Sequence, residues 1–203
     1  QGGLLSAPDT YMEKIVIGSN LPKNIMDIDN GVEKNIKLLA EAKNKKINEL
    51  NACVLKRDRH KHIVKTLTEM KVKINYITDG DIAGALSVIG ENPKNDIYYS
   101  TGGAPEGVVV AAALSCYGGQ IQGRLVLDDE EKIRAKKLGI SDFNKKYNIE
   151  DMVKGDVIFC ATGVTSGDLA KGVIDLGNEF EVNTFVLHKS KKIIKSVTNI
   201  YNK

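Results

Sequence analysis

Three short apolar runs, each followed by a longer run with helical spacing, occupy the middle of this chain and limit most strongly what it can fold into. Strands that alternate with helices at this spacing are joined by crossover connections. The predicted fold class is therefore α/β, a layered fold with a largely parallel or mixed central sheet covered by helices on both faces. The strand runs are 52–55, 73–77 and 96–100, and the helical runs are 62–70, 82–89 and 108–116.

Further elements are predicted on both sides of this repeat. A strand at 11–17 precedes a helix at 32–45. Beyond residue 116 the patterns indicate strands at 120–127 and 156–161, a charged helix from 128–131 to 138, a short helix at 169–176, and a closing hairpin of 180–188 and 192–200, whose second arm also reads as a helix. We assign residues 51–203 to the α/β domain and residues 1–50 to a segment that connects it to a further N-terminal part.

Composition and charge exclude several classes of protein. The 29 Lys and Arg residues nearly balance 26 Asp and Glu, which is too weak an excess to indicate a nucleic-acid partner. No run approaches 18 apolar residues and no signal-peptide pattern opens the chain, so we expect a cytoplasmic protein without a membrane partner. Cys53, Cys116 and Cys160 are far apart and lie in or beside apolar runs, which predicts reduced core cysteines.

A glycine-rich turn at 102–107 joins the third strand to its helix and carries one carboxylate, Glu106. Its glycines permit positive φ or close backbone approach, and Pro105 suits a first helical position. Glu106 then lies in the first helical turn, where unpaired amides are found. Two interpretations stay open, since the carboxylate can bind a ligand or simply complement the helix dipole.

Ligands of open parallel sheets bind at the carboxyl ends of the strands, where four distinctive loops of this chain are predicted to converge. These loops are 56–60, 78–81, 102–107 and 162–168. To the fourth loop we assign no chemistry.

Each of the other loops has a functional and a structural interpretation. Arg57 and Arg59 can bind phosphate bidentately, or can simply be solvated. Asp79 and Asp81 flank Gly80 and can accept sugar hydroxyls or approach a cation, although Asp81 can equally cap the next helix. Gly103 can donate its amide to a phosphate, or can serve turn geometry alone.

Taken together, a basic loop, an acidic loop and a glycine turn with a carboxylate suit a sugar phosphate bound beside a divalent cation. Carboxylate oxygens favour Mg²⁺ or Mn²⁺ over softer metals. A metal that polarises a phosphoryl group and activates water can hydrolyse a phosphomonoester.

The chain resembles bacterial class II fructose-1,6-bisphosphatases, which belong to the lithium-sensitive sugar phosphatase superfamily. The matching segments follow the family's order over almost the whole chain and are 2–14 (GGLLSAPDTYMEK), 57–60 (RDRH), 77–81 (ITDGD), 102–107 (GGAPEG), 119–125 (GQIQGRL) and 161–169 (ATGVTSGDL).

The resemblance implies hydrolysis of the 1-phosphate of fructose 1,6-bisphosphate, with Mn²⁺ or Mg²⁺ as cofactor, in a homo-oligomer that functions in gluconeogenesis. Some members of the family also accept sedoheptulose 1,7-bisphosphate. By the same resemblance, Glu106 is a metal ligand. The implied substrate-binding residues are Tyr11, Arg57, Asp58, Arg59, Asp79, Gly80, Asp81 and Gly103.

One departure from the family pattern affects catalysis. The family's main metal and catalytic residues lie in upstream acidic segments that include Asp-Pro-x-x-Gly-Thr, and these 203 residues contain no Asp-Pro dipeptide. We therefore expect the chain to be a C-terminal portion that by itself binds metal weakly and hydrolyses little. A non-catalytic sugar-phosphate-binding module is the alternative function.

Overall fold

A computed structural model describes residues 3–203 of the chain. In this range it contains ten strands and six helices. The strands are β1 (Tyr11–Ile17), β2 (Asn51–Leu55), β3 (Lys73–Ile77), β4 (Ile97–Gly103), β5 (Gln120–Val126), β6 (Lys146–Tyr147), β7 (Ile158–Thr162), β8 (Ile174–Asp175), β9 (Glu179–His188) and β10 (Ile193–Asn202). The helices are α1 (Gly31–Ala42), α2 (Lys61–Glu69), α3 (Asp81–Leu86), α4 (Ala104–Tyr117), α5 (Asp129–Lys137) and α6 (Ile149–Met152).

The larger sheet has six strands in the order β3-β2-β4-β1-β5-β6. Strands β3, β2 and β4 are parallel, as the repeat predicts. Strand β1 lies between β4 and β5 and is antiparallel to both, and β6 is antiparallel to β5. The mixed alternative is therefore confirmed, and parallel pairing is confined to the repeat itself. Because β1 lies in the centre, residues 11–17 are integral to the sheet that later residues build.

Helices cover both faces of this sheet, which confirms the layered α/β prediction. Side chains alternate along each strand, so neighbouring residues enter different cores. Met12 and Val16 enter the core formed with α3 and α4. Ile15 and Ile17 enter the core formed with α1 and α2, where Leu39 is fully buried.

Helix α4 separates the two sheets. After its first turn, which carries the exposed Glu106, its sequence is apolar all round, and this is typical of a helix that is buried on all sides. A second sheet in the order β10-β9-β7, with β8 paired to β9, packs on its far side through Phe159 and Leu187. The layers therefore follow the order helix, sheet, helix, sheet.

Two sequence predictions for the C-terminal region are wrong and one is confirmed. The helix expected at 169–176 does not form: Gly163 and Gly172 let the chain fold back closely on itself, and only the two-residue strand β8 follows. Cys160 is exposed rather than buried, because it lies on the outward face of β7. The closing hairpin is present as β9 and β10, which are paired along their whole length.

The helices described within residues 3–203 are all too short or too polar to traverse a lipid bilayer.

Candidate functional site

The candidate site lies at the edge of the larger sheet where β2, β3 and β4 end. Since these strands are parallel, the loops that follow them meet at this edge. Strand β1 runs the other way, so it begins there, and Tyr11 lies opposite Gly103. The predicted convergence is confirmed for the arginine loop, the acidic loop and the glycine turn, and the sheet adds Tyr11 to them.

The fourth predicted loop, 162–168, does not reach this edge. It follows β7, which belongs to the second sheet and pairs there with β9. Its Asp168 lies 2.5 Å from the Nζ of Lys94, a residue that precedes β4 and so marks the opposite end of that strand. The prediction of four converging loops is therefore wrong for this one, because two separate sheets form where the sequence indicated one.

The glycine-rich turn is a junction without an intervening loop: β4 ends at Gly103 and α4 begins at Ala104. Neither Gly102 nor Gly103 has a positive φ, so close approach explains both glycines. A Cβ on Gly102 would lie 2.6 Å from Oδ2 of Asp81, and a Cβ on Gly103 would overlap the carboxylate of Glu106. The exposed Glu106 side chain thus folds back over the junction.

Asp81 is the most constrained carboxylate of the site. It is the first residue of α3 and follows Gly80, which has a φ of 81°. Its carboxylate accepts hydrogen bonds from Lys14 Nζ and Tyr98 Oη instead of capping the helix. Burial opposes ionisation of Asp81, but the Lys14 charge and the two donors outweigh it and hold the pKa of this carboxyl below its usual value.

The rest of the acidic loop is open to solvent. Asp79 is exposed, and its Oδ1 accepts a 2.8 Å hydrogen bond from the Gly80 amide. The other carboxylate lone pairs of Asp79 face water, which leaves them available to sugar hydroxyls or a cation.

The arginine loop is a single 3₁₀ turn between β2 and α2. Arg59 Nε donates to the carbonyl of Thr101 at 2.8 Å, and its guanidinium lies 4.7 Å from the ring centroid of Tyr11. Arg57 is exposed and donates to the Lys56 carbonyl. Within residues 3–203 neither arginine pairs with a carboxylate, whereas the exposed Asp58 pairs with Lys61 at 3.1 Å. Both guanidinium groups therefore retain donors for an anion.

His60 ties the arginine loop to β4. Its Nε2 accepts a 2.7 Å hydrogen bond from the Thr101 amide, so the proton is on Nδ1, which lies 2.5 Å from the Leu55 carbonyl. Burial lowers the pKa of this imidazole and favours the neutral form that the two contacts require. The loop is thus fixed by a neutral histidine in one tautomer.

The described residues supply one carboxylate, Glu106, at the position that the resemblance assigns to a metal. Among residues 3–203 there is no group of three or more His, Cys, Asp and Glu side chains that could hold a metal ion. These residues therefore fit a single ligand of a divalent-cation site and do not make a complete one.

Three residues of the site were missed by sequence reasoning: Lys14, Tyr98 and His60. Lys14 was detectable, because it stands between Met12 and Val16 on the inward face of a strand where a charge is costly. Tyr98 and His60 gave no such signal, since a tyrosine in a strand and a histidine after one are unremarkable until their partners are known.

Comparison with known proteins identifies a family and several relatives. The model of the family "Bacterial fructose-1,6-bisphosphatase, glpX-encoded" matches residues 1–201. A Haemophilus influenzae protein named fructose-1,6-bisphosphatase class 2 is 35% identical over 97% of this chain and 63% of its own length. A Synechococcus protein named D-fructose 1,6-bisphosphatase class 2/sedoheptulose 1,7-bisphosphatase is 36% identical over 100% of this chain and 62% of its own length.

The chain thus spans less than two thirds of the length of these relatives. The match nevertheless covers nearly all of its residues, including every loop of the candidate site. This chain belongs to the glpX-encoded bacterial fructose-1,6-bisphosphatase family.

Proposed function

We propose that this chain forms the sugar-bisphosphate-binding part of a cytoplasmic, metal-dependent phosphatase. The reaction is hydrolysis of the 1-phosphate of fructose 1,6-bisphosphate to fructose 6-phosphate and inorganic phosphate. The observation that carries this proposal is the meeting of three features at one sheet edge in a chain of this family: two arginines that pair with no carboxylate in residues 3–203, the acidic loop and the glycine junction. The names of the relatives supply the substrate class.

Each loop has a distinct role in this proposal. Arg57 and Arg59 bind phosphate, and the stacking of Arg59 on Tyr11 sets the plane of its guanidinium. Asp79 and Asp81 orient sugar hydroxyls; the Asp81 oxygens are each engaged once and still have a second lone pair. Gly80 provides the tight turn between the two carboxylates. Asp58 and Gly103 also contact the substrate in this proposal, Asp58 from the arginine loop and Gly103 from the start of α4.

Glu106 is proposed as one ligand of the catalytic Mn²⁺ or Mg²⁺. A bound divalent cation would polarise the phosphoryl group. Since the described residues hold no group of three or more His, Cys, Asp and Glu side chains that could bind a metal ion, further ligands would come from the part of the relatives' length that lies outside the match. The chain alone is expected to bind fructose 1,6-bisphosphate and to release little phosphate.

The first experiment measures binding to the 203-residue chain. We expect titration calorimetry to detect fructose 1,6-bisphosphate binding that weakens as salt is added, because the phosphate contacts are electrostatic. Arg57→Met and Arg59→Met should each weaken binding about 10- to 100-fold, as loss of a charge-assisted hydrogen bond predicts. Arg134→Met, on the exposed face of α5, is the matched control and should bind normally. Equal affinity for all four proteins would contradict the proposed phosphate site.

The second experiment supplies the rest of the family's length. In a full-length chimera, this chain replaces its aligned region in the Haemophilus influenzae relative. We expect Mn²⁺- or Mg²⁺-dependent phosphate release from fructose 1,6-bisphosphate, with Glu106→Gln abolishing turnover and leaving the fold intact. Retained activity would remove Glu106 from the site. Assays with sedoheptulose 1,7-bisphosphate and size-exclusion chromatography test the second substrate and the proposed homo-oligomer.

A sugar-phosphate-binding module is the second candidate, favoured by the lack of a complete donor set within residues 3–203. It predicts that the chain binds the bisphosphate as above and that the chimera stays inactive while folded. Normal phosphate release by the 203-residue chain alone would contradict both candidates as stated.

A further inference from the structure

A lysine is completely buried beneath the candidate site. Lys14 lies on β1, and its side chain has no solvent exposure. Its Nζ contacts Oδ2 of Asp81 and donates to the Gly103 carbonyl at 3.0 Å. An ammonium removed from water is costly unless it is paired and hydrogen-bonded. The sequence therefore places a costly group between the acidic loop and the glycine junction.

Lys14 touches three elements that carry the proposed site residues. Through Asp81 it contacts the start of α3, and through Gly103 the end of β4. Its stem lies under the first turn of α4, where a Cβ on Gly107 would be 3.2 Å from Lys14 Cδ. Strand β1 is paired on both sides in the sheet, so these contacts fix the positions of the three elements relative to one rigid strand.

The charge of Lys14 also balances the carboxylates around it. The Asp81 carboxylate is only 13% exposed. Burial lowers the pKa of Lys14, and so does the nearby charge of Arg59, whereas the charges of Asp81 and Glu106 favour the ammonium form. Without the ammonium, Asp81 would be a buried anion beside two neutral hydroxyls, that of Tyr98, which donates to it, and that of the buried Ser100. A buried carboxyl in that situation takes up a proton instead of remaining charged.

We propose that Lys14 is a positioning residue of the substrate site, whose buried charge keeps Asp81 ionised and fastens the acidic loop to the Gly102–Gly103 junction. It does not touch the substrate, because it is fully enclosed. The inference rests on the proposed function insofar as the acidic loop binds the sugar. Its effect on Asp81 is independent of any substrate.

Two substitutions separate the charge of Lys14 from its packing. Lys14→Met keeps an unbranched stem and removes the charge, whereas Lys14→Arg keeps the charge and changes the shape. If Lys14 served only to fill space, Met would be the milder change and its effect would not depend on pH. If the charge of Lys14 keeps Asp81 ionised, Lys14→Met makes stability depend on pH, whereas Lys14→Arg does not.

The first readout is the melting temperature of the metal-free 203-residue chain between pH 5 and 8. In wild type, the pKa of Asp81 is lower in the folded chain than in the unfolded chain. Its stabilising contribution is therefore complete above the pKa of the unfolded chain and is lost only as pH falls through the pKa of the folded chain. In Lys14→Met, burial raises the pKa of Asp81 above the unfolded value, so stability is lost as pH rises. We expect the melting temperature of Lys14→Met to approach wild type at pH 5 and fall below it towards pH 8.

The double variant Lys14→Met/Asp81→Asn keeps the test decisive if Lys14→Met does not fold at neutral pH. Removing both charges leaves no buried ion between β1 and the start of α3, so we expect recovery of folding and a difference from wild type that stays constant over the same pH range. A constant difference for Lys14→Met itself, or no recovery in the double variant, would overturn the proposal.

The second readout is calorimetric binding of fructose 1,6-bisphosphate by the same proteins. We expect Lys14→Met to bind fructose 1,6-bisphosphate about tenfold more weakly, because a neutral Asp81 no longer accepts a charge-assisted hydrogen bond from the sugar. This loss should grow as pH falls and more of Asp81 is protonated. Lys14→Arg should show no such pH dependence. Failure of wild type to bind would contradict the proposed function and leave the melting test standing; binding by Lys14→Met as tight as wild type at pH 5 would contradict the role of Lys14.

Discussion

Replacement of Gly102 by alanine tests whether Asp81 is held directly under the strand-to-helix junction. The new Cβ would lie 2.6 Å from Oδ2, 2.9 Å from Cγ and 3.2 Å from Oδ1 of Asp81. Since Cβ contacts closer than 3.0 Å essentially do not occur, the carboxylate or the junction must shift by about 0.4 Å or more. Asp81 cannot rotate freely out of the way, because Lys14 and Tyr98 hold both of its oxygens.

The expected cost follows from these contacts. Overpacking a well-filled site costs about 1–3 kcal/mol in the free energy of unfolding. Alanine also restricts the unfolded chain, which raises the free energy of unfolding by about 0.4–1 kcal/mol. This gain applies because the backbone at Gly102 does not have a positive φ. We therefore expect a net loss of roughly 1–2 kcal/mol, or about 2–8 °C in melting temperature for a domain of this size.

Urea denaturation of four proteins measures the effect as a double-mutant cycle: wild type, Gly102→Ala, Asp81→Ala and the double variant. Without the carboxylate there is no overlap, so Gly102→Ala should be neutral or stabilising by about 0.4–1 kcal/mol in the Asp81→Ala background. Gly167→Ala is the matched control, since a Cβ there meets no atom within 4 Å. The same loss in both backgrounds, or no loss in wild type, would refute the placement of Asp81 under Gly102.

Three further predictions address other parts of the structure. In the full-length chimera, Gly103→Ala should displace the Glu106 carboxylate and lower turnover about 100-fold while the chain stays folded, as measured by phosphate release and circular dichroism. His60 is neutral in the fold and its pKa is lowered, so the unfolded chain binds the extra proton; melting temperature should fall as pH drops below the ordinary value of 6.5, and this slope should be absent in His60→Gln. Leu39→Ala should cost about 2–5 kcal/mol in urea denaturation, because Leu39 is fully buried between α1 and the sheet; a smaller loss would mean that the core collapses to fill the space.

The parts of the fold that depend on local pattern were predictable. The alternation of apolar strands and helices gave β2, α2, β3, α3, β4 and α4, and the loops after the three parallel strands met as expected. The position of β1 in the centre of the sheet was not predictable, because a local pattern does not indicate which strands will pair with it. For the same reason the sequence did not reveal that β7 belongs to a second sheet, which places loop 162–168 away from the candidate site.

The chemistry of the site divides in the same way. Exposed groups such as Arg57 and Asp79 follow strands directly, so sequence position identified them. The buried Lys14–Asp81–Tyr98 cluster joins residues that are 67 and 17 positions apart, which only the folded chain brings together. The capping role open to Asp81 from sequence is displaced by these contacts, because Lys14 and Tyr98 offer its carboxylate stronger donors than a helix amide.

The register of β1 is specified by charge as well as by apolar packing. Glu13 and Lys14 point to opposite faces: Glu13 lies 3.1 Å from Arg124 on one face, and Lys14 contacts Asp81 on the other. A slip of one residue would exchange the two faces and bury the Glu13 carboxylate against Asp81, close to Glu106. The carboxylates of Glu13 and Asp81 would then share a buried space without the Lys14 ammonium, an arrangement that costs far more than misplaced aliphatic side chains. The central strand can therefore pair stably in the register that brings Tyr11 opposite Gly103, and the same lysine that fixes this register holds the acidic loop in place.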